Sequence, residues 1–134
     1  MDAQTEFDRL SGTYYVSGGY RTSATDARVP VINPATGSAI AELAHVTIAE
    51  VDEVVAIANA AQREWWAMSA LERSELLHEA ARTMKAIAPE VAEIMTRETG
   101  KPYKEGVDEL SWSYTATDYY AELGRHSVGS NLGS

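Results

Sequence analysis

Residues 47–100 read TIAEVDEVVAIANAAQREWWAMSALERSELLHEAARTMKAIAPEVAEIMTRETG, and this stretch decides the fold because it marks two helix starts. Thr47 with Glu50, and Ser69 with Glu72, each match the S/T-x-x-E capping box. In this box the hydroxyl accepts a hydrogen bond from the amide three residues on, while the glutamate carboxylate accepts one from the amide of the cap residue. The two boxes therefore predict helices that begin just after Thr47 and just after Ser69.

Apolar residues recur at helical spacing after each box, which predicts two amphipathic helices that pack antiparallel across a short link. The apolar stripes consist of Val51, Val54, Val55, Ala58, Ala61 and Trp65, and of Leu76, Leu77, Ala80, Ala81, Met84 and Ile87. We expect residues 65–68 to form the link. Pro89 is unsuited to a helix interior but suits a first helical position, so we expect a break near Ala88 and a third helix that ends at Gly100.

Short β-prone pieces precede these helices. Residues 14–16 and 20–21 flank Ser17-Gly18-Gly19, and the Gly-Gly centre predicts a hairpin turn. Two further runs, residues 29–32 and 39–43, flank Asn33-Pro34-Ala35-Thr36-Gly37, which predicts a turn between strands. Residues 1–12 are polar apart from two isolated apolar side chains, so we expect a loosely held leader.

A fourth helix is expected from about Glu105 to about Leu123, because Val107, Leu110, Tyr114 and Ala121 recur at helical spacing, with Gly124 as its stop. The chain is therefore predicted to be α+β, with hairpin strands followed by four helices. We divide it into a leader (1–12), one folded segment (13–126) and a truncated continuation (127–134).

Composition excludes several classes of protein. The 134 residues carry a formal net charge of -9 and no cysteine. The negative charge and the absence of a basic patch argue against nucleic-acid and membrane partners. No disulfide, thiolate metal site or thiol nucleophile can form from these residues. With no targeting segment or membrane span in the sequence, we expect a cytoplasmic protein.

Candidate chemistry is sparse. His78-Glu79-Ala80-Ala81-Arg82 resembles the zinc motif H-E-x-x-H, but arginine replaces the second ligand, so we interpret His78 as a residue of a solvated helix face. His45 and His126 are likewise expected at the surface. The glycines form no nucleotide-binding motif. The aromatic residues Trp112, Tyr114, Tyr119 and Tyr120 could stack a ligand, but at helical spacing the core is favoured.

One family accounts for the pattern as a whole. The successive motifs VINPATG (31–37), an Ala-rich helix after Val51-Asp52, LER (71–73), ETGKP (98–102) and DYYA (118–121) resemble the N-terminal part of the aldehyde dehydrogenase superfamily. The resemblance implies that the chain is part of the α/β Rossmann-like cofactor-binding domain. It also implies a parent enzyme that oxidises a small-molecule aldehyde to an acid with NAD or NADP, through a cysteine thiohemiacetal and a glutamate base, as a homo-oligomer.

In this family the catalytic and nucleotide-binding residues follow the segment present here, so we expect the isolated chain to be inactive and to bind no cofactor. Some members also hold a monovalent cation, through the backbone carbonyl at the position of Ile32 and the carboxylate at the position of Glu98. For the isolated chain, the role of Glu98 as a residue of a last helical turn is favoured. The competing class is a self-standing, non-enzymatic helical interaction module that binds a partner through its apolar stripe.

Overall fold

The computed structural model describes residues 3–126 and residue 129. In chain order the elements are α1 (Ala3–Leu10), β1 (Thr13–Val16), β2 (Gly19–Thr22), β3 (Arg28–Ile32), β4 (Ala39–Ala44), α2 (Ile48–Ala67), α3 (Ala70–Thr99) and α4 (Tyr103–Leu123). The strands form two antiparallel pairs, β1 with β2 and β3 with β4. The predicted α+β class with short paired strands and four helices is confirmed, with one helix, α1, before the strands and three after them. The predicted continuation 127–134 lies outside the described residues, except for residue 129.

The first strand pair is the predicted hairpin with a different turn centre. Val16 pairs with Gly19, so the two turn residues are Ser17 and Gly18, whose φ angles are 51° and 79°. Positive φ at both positions is the conformation of the tight hairpin turns that match the twist of the strands. The expected Gly-Gly centre is therefore wrong by one residue, because Gly19 already belongs to β2.

The second pair confirms the strands predicted on either side of residues 33–37. Asn33 closes the turn from both ends: its amide donates to the carbonyl of Ser38 at 2.9 Å, and its carbonyl accepts from the amide of Gly37 at 2.8 Å. Gly37 has φ 71°, which only glycine adopts without strain. Pro34 lies against the end of α3, since a Cβ added at Gly100 would approach its ring to 2.9 Å.

Helix α2 begins at its predicted capping box, but the rest of the prediction for this region needs correction. The helix continues through Trp65 and Trp66 to Ala67, so the link to α3 is only Met68 and Ser69. No residue of α2 is buried, and the expected antiparallel packing on the next helix is wrong. The backbone at Met68 is extended, so the chain changes direction there and α2 does not pack on α3.

Helix α3 is one helix of 30 residues, and the predicted break near Ala88 is wrong. Pro89 lies inside it and is exposed. A proline costs one backbone hydrogen bond in a helix interior, but packing can outweigh that local cost. Ala88 and Ala92, on either side of Pro89, are both buried, so packing accompanies the continuous helix through the site of the expected break.

The core lies between α3 and α4, which pack along their lengths through small residues. The buried residues on this interface include Ala81, Ala88, Ala92, Gly106 and Ala121. A Cβ added at Gly106 would lie 3.4 Å from both the Cβ and the carbonyl oxygen of Ala92, so the two backbones approach closely at this point. Gly100 ends α3 with φ 75°, as predicted, whereas Gly124 ends α4 in a right-handed conformation.

The N-terminal residues differ from the loosely held leader that we expected. Residues 3–10 form α1, and Phe7 is buried with the Arg97 guanidinium 4.9 Å from its ring centroid. The amide of Gly12 then donates to the carbonyl of Glu42 at 2.6 Å, which joins the end of α1 to β4. One buried aromatic residue on a short polar helix leaves little periodicity, so the sequence pattern did not predict α1.

Candidate functional site: two polar anchors and an uncovered apolar surface

The carboxylate of Glu50 joins the start of α2 to the strands. It completes the capping box by accepting from the Thr47 amide at 2.7 Å. It also accepts from the Ala24 amide at 2.7 Å and from the Ser23 hydroxyl at 2.9 Å, both in the loop after the hairpin. Tyr14 of β1 contributes its hydroxyl at 3.5 Å. Glu50 is therefore both a helix cap and a tertiary anchor.

These donors stabilise the charged form of Glu50. The backbone amide of Thr47, the amide of Ala24 and the hydroxyls of Thr47 and Ser23 lower the pKa of Glu50 from 4.5 to about 2. At neutral pH the carboxylate is charged and accepts all of these bonds. The Glu72 carboxylate in the second box also has a lowered pKa, through the amide and hydroxyl of Ser69, but it makes no comparable tertiary bonds.

His78 forms the second polar anchor, and its predicted place on a solvated helix face is wrong. Its Nδ1 lies 2.8 Å from Asp118 Oδ1 and its Nε2 lies 2.7 Å from Glu122 Oε1, so the ring bridges α3 to the last turns of α4. The hydrogen bond to Asp118, then that to Glu122, raises the pKa of His78. The same bridge lowers the pKa of Glu122.

Neither anchor is a metal centre. Across residues 3–126, no group of three or more His, Asp or Glu side chains is arranged to hold a metal ion. Both ring nitrogens of His78 already face carboxylate oxygens, so neither is free to coordinate a cation. His78 thus has structural partners that the sequence pattern did not indicate.

The face of α4 turned away from α3 is apolar and uncovered. This outer face consists of Trp112, Ala116, Tyr119 and Leu123, which are spaced at i, i+4, i+7 and i+11. Trp112 is 76% exposed, Tyr119 is 61% exposed and Leu123 is 45% exposed. The expectation that the aromatic residues of this helix lie in the core is wrong for Trp112, Tyr119 and Tyr120, because the core side of α4 is occupied by small residues instead.

A second uncovered surface follows α2. We call Ile48, Val51, Val55 and Trp66 the α2 stripe; their exposures range from 45% for Val51 to 82% for Ile48. Beside it, an apolar groove of about 240 Å³ lies between β1 and α2, lined by Tyr14, Tyr15, Glu50 and four valines. Large exposed apolar side chains that share one face often mark contact sites, so both surfaces have the properties of packing interfaces.

The two candidate cation ligands lie in neighbouring parts of the fold. Ile32 ends β3 at an irregularity in the β3–β4 pairing, and Glu98 is an exposed residue of the last turn of α3. The contact between Gly100 and Pro34 brings these segments together. Glu98 also lines a cavity of about 150 Å³ together with Glu6 and Glu42, whereas Ile32 does not line it.

A comparison with family models identifies the class of protein that carries these two apolar surfaces. A model of the aldehyde dehydrogenase family matches residues 20–134. The chain belongs to this family. The resemblance inferred from the motifs between residues 31 and 121 is therefore confirmed.

Solved structures of aldehyde dehydrogenases share the fold of this chain. It is 27% identical to an aldehyde dehydrogenase from Brucella melitensis biovar abortus 2308, with a TM-score of 0.85 over 92% of this chain and 26% of that one. The NAD-dependent benzaldehyde dehydrogenase from Corynebacterium glutamicum is also 27% identical, with a TM-score of 0.82 over 100% of this chain and 28% of that one. Lactaldehyde dehydrogenase from Escherichia coli is 27% identical, with a TM-score of 0.84 over 92% of this chain and 26% of that one.

The chain thus spans about a quarter of the length of the aldehyde dehydrogenases that it matches. It corresponds to an N-terminal segment of the superfamily fold. Of the residues that the structure describes, none belongs to a helix both long and apolar enough to cross a bilayer.

Proposed function

We propose that this chain is the N-terminal segment of the cofactor-binding domain of an NAD(P)-dependent aldehyde dehydrogenase, and that the α2 stripe and the outer face of α4 pack on the remainder of that domain. The observation that carries the proposal is the pair of uncovered apolar faces in a chain of this family. Full burial of a large apolar side chain contributes about 1.5–3 kcal/mol to stability. Val55 and Trp112 are at least half exposed in this chain, so packing on the remainder of the domain would supply the missing part of that stabilisation.

The parent enzyme oxidises an aldehyde to a carboxylic acid. Residues outside this chain would hold NAD(P)⁺, which would supply the hydride acceptor, and water would supply the second oxygen of the acid. The chain contains no cysteine, so the thiol nucleophile of the parent reaction must come from sequence outside these residues. The role of this segment is architectural: Glu50 fixes α2 against the strands, and His78 fixes α4 against α3, so that both apolar faces are presented in a defined orientation.

A chimera tests this proposal. The benzaldehyde dehydrogenase from C. glutamicum is a suitable host because its match covers the whole of this chain. We expect a host in which this chain replaces the matching segment to reduce NAD⁺ with benzaldehyde. A host that merely lacks the segment should be inactive. A soluble chimera without activity, or an insoluble one, would contradict the proposal.

A matched pair of α2 variants separates packing from charge in the same chimera. Val55→Asp places a carboxylate on the α2 stripe, whereas Ala56→Asp places one on an exposed position of the same helix, about 100° away around the helix. We expect Val55→Asp to abolish activity or soluble expression and Ala56→Asp to retain both. Equal behaviour of the two variants is the result that counts against the packing role.

The competing function is a self-standing helical interaction module that binds a separate protein through the α2 stripe. It makes a different prediction about the isolated chain, because a complete module closes its own core. The exposure of Ile48 and Trp66 favours the segment of a larger domain. A chain that remains monomeric without binding a hydrophobic dye would favour the module instead.

We further propose that the backbone carbonyl of Ile32 and the carboxylate of Glu98 contribute to a monovalent-cation site completed by other parts of the parent enzyme. Support comes from the carboxylates of Glu6 and Glu42, which line one cavity with Glu98, and from the adjacency of Gly100 to the turn after Ile32. In the chimera, K⁺ or Na⁺ should raise the melting temperature relative to tetramethylammonium, and Glu98→Gln should remove that difference. An identical cation effect in both proteins would exclude Glu98 as a ligand.

A further inference from the structure

The bridge between His78, Asp118 and Glu122 can form in only one protonation state of the imidazole. Both ring nitrogens face carboxylate oxygens at hydrogen-bond distance, 2.8 Å to Asp118 and 2.7 Å to Glu122. A carboxylate only accepts hydrogen bonds, so each ring nitrogen must donate a proton. Neutral imidazole has one N–H, and its other nitrogen would direct a lone pair at a negatively charged oxygen. Only the imidazolium ion satisfies the observed geometry.

The bridge also lies where it controls a specific part of the fold. His78 is near the start of α3, and its two partners lie in the last turns of α4. Ala121, between the two acidic partners, is 1% exposed and is packed on α3. The outer face of α4 includes Tyr119 and Leu123 from the same turns, so the bridge lies beside this apolar face.

We propose that His78 is a proton-controlled clamp: it holds the C-terminal turns of α4 against α3 while its ring is doubly protonated, and it releases them when the ring loses one proton. The proton that the ring loses passes to solvent water, and no other bond changes. Release frees Asp118 and Glu122 and loosens residues 118–123, which carry half of the outer face of α4.

The direction of the pH dependence follows from the charges around the ring. The two carboxylates raise the pKa of His78, so the clamp is complete below the ordinary histidine value of about 6.5 and is lost as the pH rises through the raised value. The lowered pKa of Glu122 keeps that partner charged well below neutrality. Arg125, 3.4 Å from Glu122, competes for the same oxygen, while Glu75 and Arg82 lie one turn on either side of His78 on α3.

Nitrogen-15 NMR of the imidazole rings tests the protonation state directly. The chain has only three histidines, and His45 and His126 are exposed, so the pair of nitrogen signals from each ring can be assigned through single His→Gln variants. We expect His78 to titrate above about pH 6.5 and to show two protonated nitrogens at pH 6.5. Asp118→Asn with Glu122→Gln should shift this titration to lower pH. A neutral ring at pH 6.5 would overturn the clamp.

Hydrogen exchange followed by mass spectrometry tests the release at low protein concentration. After correction for intrinsic rates, protection of residues 118–123 should fall several-fold between about pH 6 and about pH 9 in the wild-type chain. In His78→Gln the segment should be unprotected to the same extent throughout, whereas His45→Gln should behave like wild type. Protection that stays constant with pH in the wild type, or falls equally in His78→Gln, would overturn the proposal.

Discussion

The amide of Ala24 donates to Glu50 Oε1 at 2.7 Å, and this bond joins residues 26 positions apart in the chain. The same carboxylate accepts from the amide of Thr47 three residues before it. The S/T-x-x-E spacing predicts only the local role of Glu50 in the capping box. The same carboxylate also fixes α2 relative to the loop after the hairpin. The two roles share one charge, so they respond together to pH.

Glu50→Gln should reduce stability in a pH-dependent manner. Because the pKa of Glu50 is lowered to about 2 in the folded chain, its contribution is complete above about pH 4.5 and is lost as the pH falls towards 2. The free energy of unfolding of the variant should therefore lie below that of wild type at pH 7 and converge with it near pH 2. Denaturant titrations at several pH values measure this difference. Glu64→Gln, at an exposed position of the same helix, is the control, and a constant difference for Glu50→Gln contradicts the assignment.

Thr47→Ala and Ser69→Ala should each lower the free energy of unfolding by about 1 kcal/mol, the usual loss for a helix cap. Thr47→Ala should be the larger, because its side chain also donates to the carboxylate that anchors Ser23 and Ala24. Thr115→Ala, at an exposed position within α4, controls for loss of a hydroxyl. If Ser69→Ala proved the more destabilising in urea titrations, the tertiary role of the first box would be contradicted.

Pro89→Ala should stabilise the chain by about 1 kcal/mol or more. Pro89 is an exposed residue in the middle of α3, where alanine restores the backbone hydrogen bond to the residue four positions earlier. If α3 were instead two helices, Pro89 would be a first-turn residue, and the substitution would be neutral or destabilising. Thermal unfolding of the two proteins under the same conditions distinguishes a continuous helix from a broken one.

The 134-residue chain alone should not reduce NAD⁺ or NADP⁺ with any aldehyde. It contains no cysteine and therefore no thiol to attack the substrate carbonyl. The assay follows nicotinamide absorbance with aliphatic and aromatic aldehydes, against a control without protein. Turnover that persists through two independent purification schemes would mean that the chemistry attributed to the rest of the parent enzyme resides in this chain.

Local signals predicted local structure well. The capping boxes at Thr47 and Ser69, the glycine stop at Gly100 and the strand pair around Pro34 all depend on residues within five positions of one another, and all are present. The family resemblance likewise depended on short motifs in a fixed order, and it is confirmed.

Features that depend on distant partners were not predictable in this way. Asp118 lies 40 positions from His78, so nothing near His78 indicated an ion pair instead of a solvated face. Pro89 lies inside a continuous helix because α3 packs on α4, although proline itself disfavours a helix interior. Trp112 and Tyr119 have the helical spacing of core residues, which is why the sequence predicted burial. The surface that would cover them is not among the described residues.

Sedimentation velocity in the presence of a hydrophobic dye is the most direct measurement of the central claim, that the α2 stripe and the outer face of α4 are interfaces without their partner. Despite its net charge of -9, the isolated chain should bind the dye and associate as its concentration rises. Trp112→Ser with Tyr119→Ser should reduce both effects, whereas Ser113→Ala should not. A compact monomer that unfolds cooperatively and binds no dye would contradict the account.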